Sequence, residues 1–299
     1  MKKYGKKLIP GVIALGLAFT MGITASAASD AEYTKNENVY VRLEQNGELN
    51  GVYVVNTFHV TKEGEITDYG DYDKIQNLTN LDAIESDKDE HSFTVGEGKF
   101  YYQGDIDKAQ LPWIFNIIYT LDDEEVEKEE LAGQEGKLKI RLQIRQNPAF
   151  TDTSFFQAYM LQTSFTLDPD LCKHIHAEGS AIGKKDSAAG EEQAAIQTTT
   201  TDAGANENVT FIVYPGTEAD LVITTDAENF EMDDISINAA AATEFPKSYV
   251  SEANSSIDKT TFIISAEGIA IPEPVVEETV VEEQGFLDKL LDLFKELFD

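Results

Sequence analysis

Lys137-Leu138-Lys139-Ile140-Arg141-Leu142-Gln143-Ile144-Arg145 is the stretch whose reading decides the fold. Successive side chains of an extended strand point to opposite faces. The even positions therefore make one dry face of Leu138, Ile140, Leu142 and Ile144, and the odd positions make a wet, basic face. A helix would scatter the same four apolar residues around its circumference, so this segment reads as a strand of a sheet with one buried side.

The same alternation extends outward in both directions. Trp113, Phe115, Ile117, Tyr119 and Leu121 follow it upstream. Further upstream, Val39, Val41 and Leu43 point one way, and Val52–Phe58 is rich in β-branched and aromatic residues. Asn46-Gly47 between these two runs predicts a hairpin. Phe93–Val95 and Phe100–Tyr102 read as strands around a Gly96-Glu97-Gly98 turn, whereas the three-residue spacing of Ile75, Leu78, Leu81 and Ile84 suits a short helix or a turn. Downstream strands are predicted at Ala158–Leu167, Val209–Tyr214, Ala219–Thr224, Ile235–Ala239 and Phe262–Ser265. Residues 183–206, rich in Ala, Gly, Thr, Gln and Glu, read as a long surface loop.

These signals predict a mainly β protein with an N-terminal β domain over residues 33–108 and a second domain over 109–270. Many short strands separated by turn signals predict an immunoglobulin-like β-sandwich for the second. Residues 271–284, with two prolines and a doubled Val-Val-Glu-Glu, read as an extended, self-repelling linker.

The two ends carry different instructions. Lys2, Lys3, Lys6 and Lys7, an apolar run from Leu8 to Ile23, and Ala25-Ser26-Ala27 form the three parts of a secretory signal peptide over residues 1–27. Export to the extracellular space or cell surface is therefore expected. The formal charge of the whole chain is -32, and removing the four leader lysines takes it to -36. This balance argues against nucleic-acid partners, whose phosphates are bound by Lys and Arg. One cysteine excludes an intramolecular disulfide.

Residues 285–299 form an amphipathic helix on a helical projection. With about 100° per residue, Phe286, Leu287, Leu290, Leu291, Leu293, Phe294, Leu297 and Phe298 gather within roughly 160° of arc. Covering that stripe contributes on the order of 10 kcal/mol before entropic costs, so the helix needs an apolar partner. The choices are a groove on its own domains, a second copy of the chain, a membrane or envelope surface, or another protein.

Candidate chemical sites are few. Cys172-Lys173-His174-Ile175-His176 would place a thiol and two imidazoles on one strand face, a donor set suited to zinc or copper. The plainer reading, which is favoured, is a strand edge with two exposed histidines and a buried cysteine. Asp68, Asp71 and Asp73 around Gly70 offer oxygen ligands for Ca2+, without the register of an EF-hand loop. His59 and His91 read as structural. Nucleophile elbows, zinc-protease motifs and phosphate loops are absent from the sequence, so no catalytic or cofactor-binding residue is assigned. A carboxylate-based hydrolase acting on carbohydrate is the alternative to a non-enzymatic binding or structural module, although no pair of acids stands out.

Three stretches have a familiar look: Glu65-Ile66-Thr67-Asp68-Tyr69-Gly70-Asp71-Tyr72, Phe100-Tyr101-Tyr102-Gln103-Gly104-Asp105 and Glu130-Leu131-Ala132-Gly133-Gln134-Glu135-Gly136-Lys137-Leu138. Together they resemble the extracellular β-rich region of Gram-positive surface and membrane proteins of unassigned function. Those proteins often continue into Leu-Gly heptad-like repeats and membrane helices. The similarity covers about residues 35–240 and brings no active-site residues with it. This chain departs from the longer members by placing an acidic linker and an amphipathic tail where repeats and spans would be expected.

Overall fold

A computed structural model describes residues 30–183, 195–254 and 257–271. The expected signal peptide, the amphipathic helix and all but the first residue of the linker lie outside the described residues. Within them the chain is mainly β. Strands β1 (Glu32–Leu43) and β2 (Leu49–Lys62) form the predicted hairpin around Asn46-Gly47, where Gly47 has a φ of 91°. Then come β3 (Gly64–Tyr69), β4 (Lys74–Asn77), β5 (Glu85–Asp87), β6 (Glu90–Val95), β7 (Gly98–Ile106), β8 (Trp113–Leu121) and β9 (Glu124–Val126). A one-turn helix α1 (Lys128–Leu131) precedes β10 (Gly136–Gln146), and another short helix, α2 (Ser154–Ala158), leads into β11 (Tyr159–Leu167). The remainder is β12 (Cys172–Ala181), β13 (Ile196–Ala203), β14 (Asn206–Val213), β15 (Ala219–Ala227), β16 (Ile235–Ala241) and β17 (Ile257–Ala266).

Three sheets result. The largest has nine strands in the order β13-β14-β11-β16-β17-β1-β2-β7-β4. A five-stranded sheet runs β12-β15-β10-β8-β9, and a three-stranded sheet runs β3-β6-β5. The dry face read from β10 is buried as expected: Leu138, Ile140, Leu142 and Ile144 are at most 1 % exposed. With Trp113, Phe115, Ile117 and Tyr119 of β8, these residues share one core with Val39, Val41 and Leu43 of β1, Phe211 of β14 and Phe262 of β17. A smaller core of Phe58, Val60, Ile66, Phe93, Val95, Phe100 and Tyr102 lies beneath the three-stranded sheet. Val52 and Val54 of β2 belong to the larger core, while Phe58 and Val60, of the same parity, belong to the smaller. One face of the nine-stranded sheet is therefore covered twice, by the five-stranded sheet along one stretch and by the three-stranded sheet along another.

The nine-stranded sheet crosses the expected division at residue 108. Strand β1 pairs with β17 in parallel, from Lys35↔Ile257 to Leu43↔Ala266. The strands of 33–108 and those of 109–270 thus share one sheet, and the larger core draws on both. Local alternation finds strands but carries no information about which distant strand lies alongside. Two smaller expectations also change. Residues 74–77 form β4 against β7 rather than a helical turn. Part of the expected surface loop, Ile196–Ala203, is β13, whose threonines pair with β14 at the edge of the nine-stranded sheet and are exposed. An edge strand with both faces wet has no apolar alternation to reveal it.

Candidate functional site

The inward face of β1 is apolar only in its second half. Val39, Val41 and Leu43 face the larger core, but the two preceding positions of the same parity are Lys35 and Glu37. Both are buried, at 2 % and 0 % side-chain exposure. They lie where the two cores meet. Asp68 reaches them from β3, turned inward beside Ile66 and itself buried.

Lys35 Nζ donates to both oxygens of Asp68, at 2.8 Å each, and lies 3.2 Å from Glu37 Oε1. One cation and two carboxylates leave a surplus negative charge in a dry site, which is costly unless further donors meet it. Those donors are present. The Tyr102 hydroxyl donates to Asp68 Oδ2 at 2.5 Å. Glu37 accepts from the Ser248 hydroxyl at 2.5 Å and from the Tyr249 backbone N–H at 2.8 Å. The Asn254 amide then ties this loop to β3: its Oδ1 accepts from the Tyr69 N–H and its Nδ2 donates to the Tyr69 carbonyl. Aromatic rings wall the cluster. The Phe58 centroid lies 5.7 Å from Lys35 Nζ, and Phe58 meets Tyr33 and Phe93 edge-on and Tyr102 face to face. Burial, foremost, holds the Tyr102 and Tyr72 hydroxyls well above their usual titration range, with the nearby Asp68 charge adding to it. Tyr102 is therefore a fixed hydrogen-bond donor.

His91 packs against this cluster as a structural group. Its Nε2 lies 2.7 Å from the Gly70 carbonyl, which can only accept, so Nε2 carries a proton, and Nδ1 lies 3.1 Å from Ser86 Oγ.

The metal-ligand candidates do not converge. Cys172 is buried in the larger core, whereas His174 has 86 % of its side chain exposed and His176 is exposed. The cause is a bulge in the edge strand β12. Lys173 pairs with Asp226 and the next paired residue is His176, opposite Thr224, with His174 at a φ of 53°. A bulge resets which residues face inward, so the i, i+2 argument fails at that point. His174 Nδ1 instead meets Asp226 Oδ2 at 2.8 Å. Of the three aspartates considered for calcium, Asp68 turns inward to Lys35 while Asp71 and Asp73 stay exposed, Asp73 accepting the Asp107 N–H at 2.7 Å. Among the described residues, no group of three or more His, Cys, Asp or Glu side chains is placed to hold a metal.

The buried titratable groups set an expected pH response. Burial pushes the Cys172 thiol up to about 11 and the Tyr40 phenol to about 12, and raises Tyr119, Tyr159 and Tyr249 in the same direction. Between pH 9 and 12 the unfolded chain releases these protons while the native state keeps them. The native state then binds more protons, so stability falls as pH rises. Melting temperature is expected to drop steadily above about pH 9–10, the ordinary range of these groups. Cys172 is expected to resist alkylation at pH 8 until the protein is unfolded, because the reacting species is the thiolate; rapid labelling of the folded protein, read by mass, would contradict the buried placement.

No protein-family model and no curated protein matches the sequence. Among solved structures, the yeast delta-COP-I mu-homology domain aligns with a TM-score of 0.40 and 10 % identity over 80 % of this chain and 96 % of that one. The collagen adhesin CNA of S. aureus aligns with a TM-score of 0.26 and 9 % identity over 80 % and 92 %. The N-terminal domain of the Streptococcus gordonii adhesin Sgo0707 gives 0.24 and 7 % over 74 % and 62 %. Overlaps this loose assign neither a family nor a function.

Proposed function

We propose that this protein is an exported, non-enzymatic module of the bacterial cell envelope, combining a structural role under tension with binding of a protein or envelope partner. The observation that carries the reading is the parallel pairing of β1 with β17. The chain enters the pair beside Asp30 and leaves it beyond Ala266, at the opposite end of the ladder. Tension between the two ends therefore pulls the strands past each other and strains all their hydrogen bonds together, rather than one after another. The leader-like residues 1–27 and the acidic excess support export and solubility outside the cell. The two carboxylates that the fold brings together, Glu37 and Asp68, are sealed from solvent, so no glycoside reaches them. The amphipathic stripe of residues 286–298 supports docking or self-association through the C-terminal tail.

Two measurements test this. In a single-molecule experiment, pulling from the two chain ends is expected to need a higher unfolding force than pulling from residues 46 and 271, which lie at the same end of the pair and would unzip it. Equal forces would remove the tension reading. Deleting residues 285–299 is expected to shift the protein from the cell-associated to the free fraction or to reduce its oligomer size, and no change in either would remove the tail's role.

A further inference from the structure

We propose that the protein crosslinks itself by an amide bond between Lys35 Nζ and Asp68 Cγ, with Glu37 carrying the proton. This rests on the buried cluster alone and stands or falls independently of the envelope role.

The geometry is that of reactants held together. Nζ is 2.8 Å from both Asp68 oxygens. With C–O bonds of about 1.2 Å, that places it roughly 3 Å from Cγ. Reacting atoms held at such a separation gain an effective concentration far beyond that of any free amine. A torsion about the Cα–Cβ bond tilts the carboxyl plane and turns the carbon's face to the nitrogen. The surroundings supply the remaining parts. Glu37 is 3.2 Å from Nζ and is fixed in place by Ser248 and Tyr249, so it is positioned to accept and return a proton rather than to be acylated. The Tyr102 hydroxyl already donates to an Asp68 oxygen, where negative charge develops as the carbon becomes tetrahedral.

The step balances without any co-reactant. The Lys35 ammonium passes a proton to Glu37, and the freed lone pair forms the N–C bond at Asp68. A second proton then leaves the nitrogen, and both protons end on the departing Asp68 oxygen as its C–O bond breaks. One water is expelled, Glu37 is again a carboxylate, and the amide nitrogen keeps one hydrogen. A cation and an anion in a dry, aromatic-walled site become one neutral amide. Its N–H faces Glu37 and its carbonyl faces Tyr102, so no polar atom is orphaned. Burial of Lys35, Glu37 and Asp68 to 3 % exposure or less keeps out the water that would reverse the reaction.

The test is a trypsin digest of the purified, denatured and reduced mature protein, read by mass spectrometry. Acylated Lys35 resists trypsin. The expected product is a branched peptide, one arm ending at Arg42 and the other Glu63–Lys74, lighter than the two arms together by one water, about 18 Da. Lys35→Arg keeps a cation between the carboxylates but lacks the amine nucleophile, and is expected to fold without the link. Glu37→Gln is expected to slow linkage by about a hundredfold or more, as loss of a proton carrier does. Folded wild-type protein that yields a peptide cleaved at Lys35 and a free Glu63–Lys74 would overturn the proposal. So would a link to Ser248–Lys259 with loss of ammonia, about 17 Da, which would place the bond on Asn254.

Discussion

Replacing Lys35 with alanine is expected to destabilise the protein by about 3–5 kcal/mol, the usual cost of removing one partner from a buried charge cluster. The ammonium is the only cation within reach of Glu37 and Asp68 among the described groups at this site. Without it, two carboxylates remain in a space walled by Phe58, Tyr102 and Tyr33. The hydroxyl and amide donors that bind them are not enough to hold two unpaired negative charges out of water. Chemical denaturation of wild type and variant measures the difference. Two comparisons make the result specific. Lys139→Ala, on the exposed face of β10, is expected to change stability by less than about 0.5 kcal/mol. The triple variant Lys35→Met, Glu37→Leu, Asp68→Leu is expected to regain part of the loss, because apolar residues can replace a buried ion cluster, the recovery being limited by the Tyr102, Ser248 and Tyr249 donors left without acceptors. A triple variant as unstable as Lys35→Ala would show that shape rather than charge holds this junction together. An unlinked and a linked protein both predict a loss for Lys35→Ala, so this experiment measures the cluster's contribution and the peptide map decides the covalent bond.

Phe262→Ala is expected to cost a further 3–5 kcal/mol by itself, the range for deleting a buried aromatic ring. Phe262 is fully buried in β17, next to β1 in the nine-stranded sheet. Its ring meets Trp113 of the facing sheet edge-on at 5.2 Å, Tyr249 at 5.3 Å and Tyr159 at 5.4 Å. The substitution would open a void between the two large sheets and remove the contacts that set the path of the loop ending at Asn254. Phe262→Leu, which keeps most of the volume, is expected to cost about 1–2 kcal/mol. A loss below about 1 kcal/mol for the alanine variant would mean that the sheets do not pack through this ring.

Much of the strand content was legible because alternation is a local property. Trp113–Leu121 and Lys137–Arg145 declare their inward residues without reference to any neighbour, and the structure buries those same residues except Leu121 at the strand end, which is half-buried. Where one strand departs from strict alternation, local reading failed. The bulge at His174 moved the inward register of β12, and β13, wet on both faces, gave no pattern to read. The candidate site was half visible. Lys35 and Glu37 are in phase with Val39, Val41 and Leu43, so extending the inward row by two steps would have placed both charges inside. Asp68 stands in the sequence as a carboxylate beside a glycine turn, and nothing local to it points to a lysine 33 residues upstream as its partner.

The sequence by itself determined that these residues form strands, which face of each is dry, and that acid dominates the surface. Those properties depend on side-chain period and composition, which are written locally. Only the tertiary structure decided that β1 lies beside β17, that one sheet runs through both expected domains, and that Lys35, Glu37 and Asp68 meet. Which strand neighbours which is settled by long-range competition among apolar faces of similar character. A one-dimensional pattern holds the faces but not their partners.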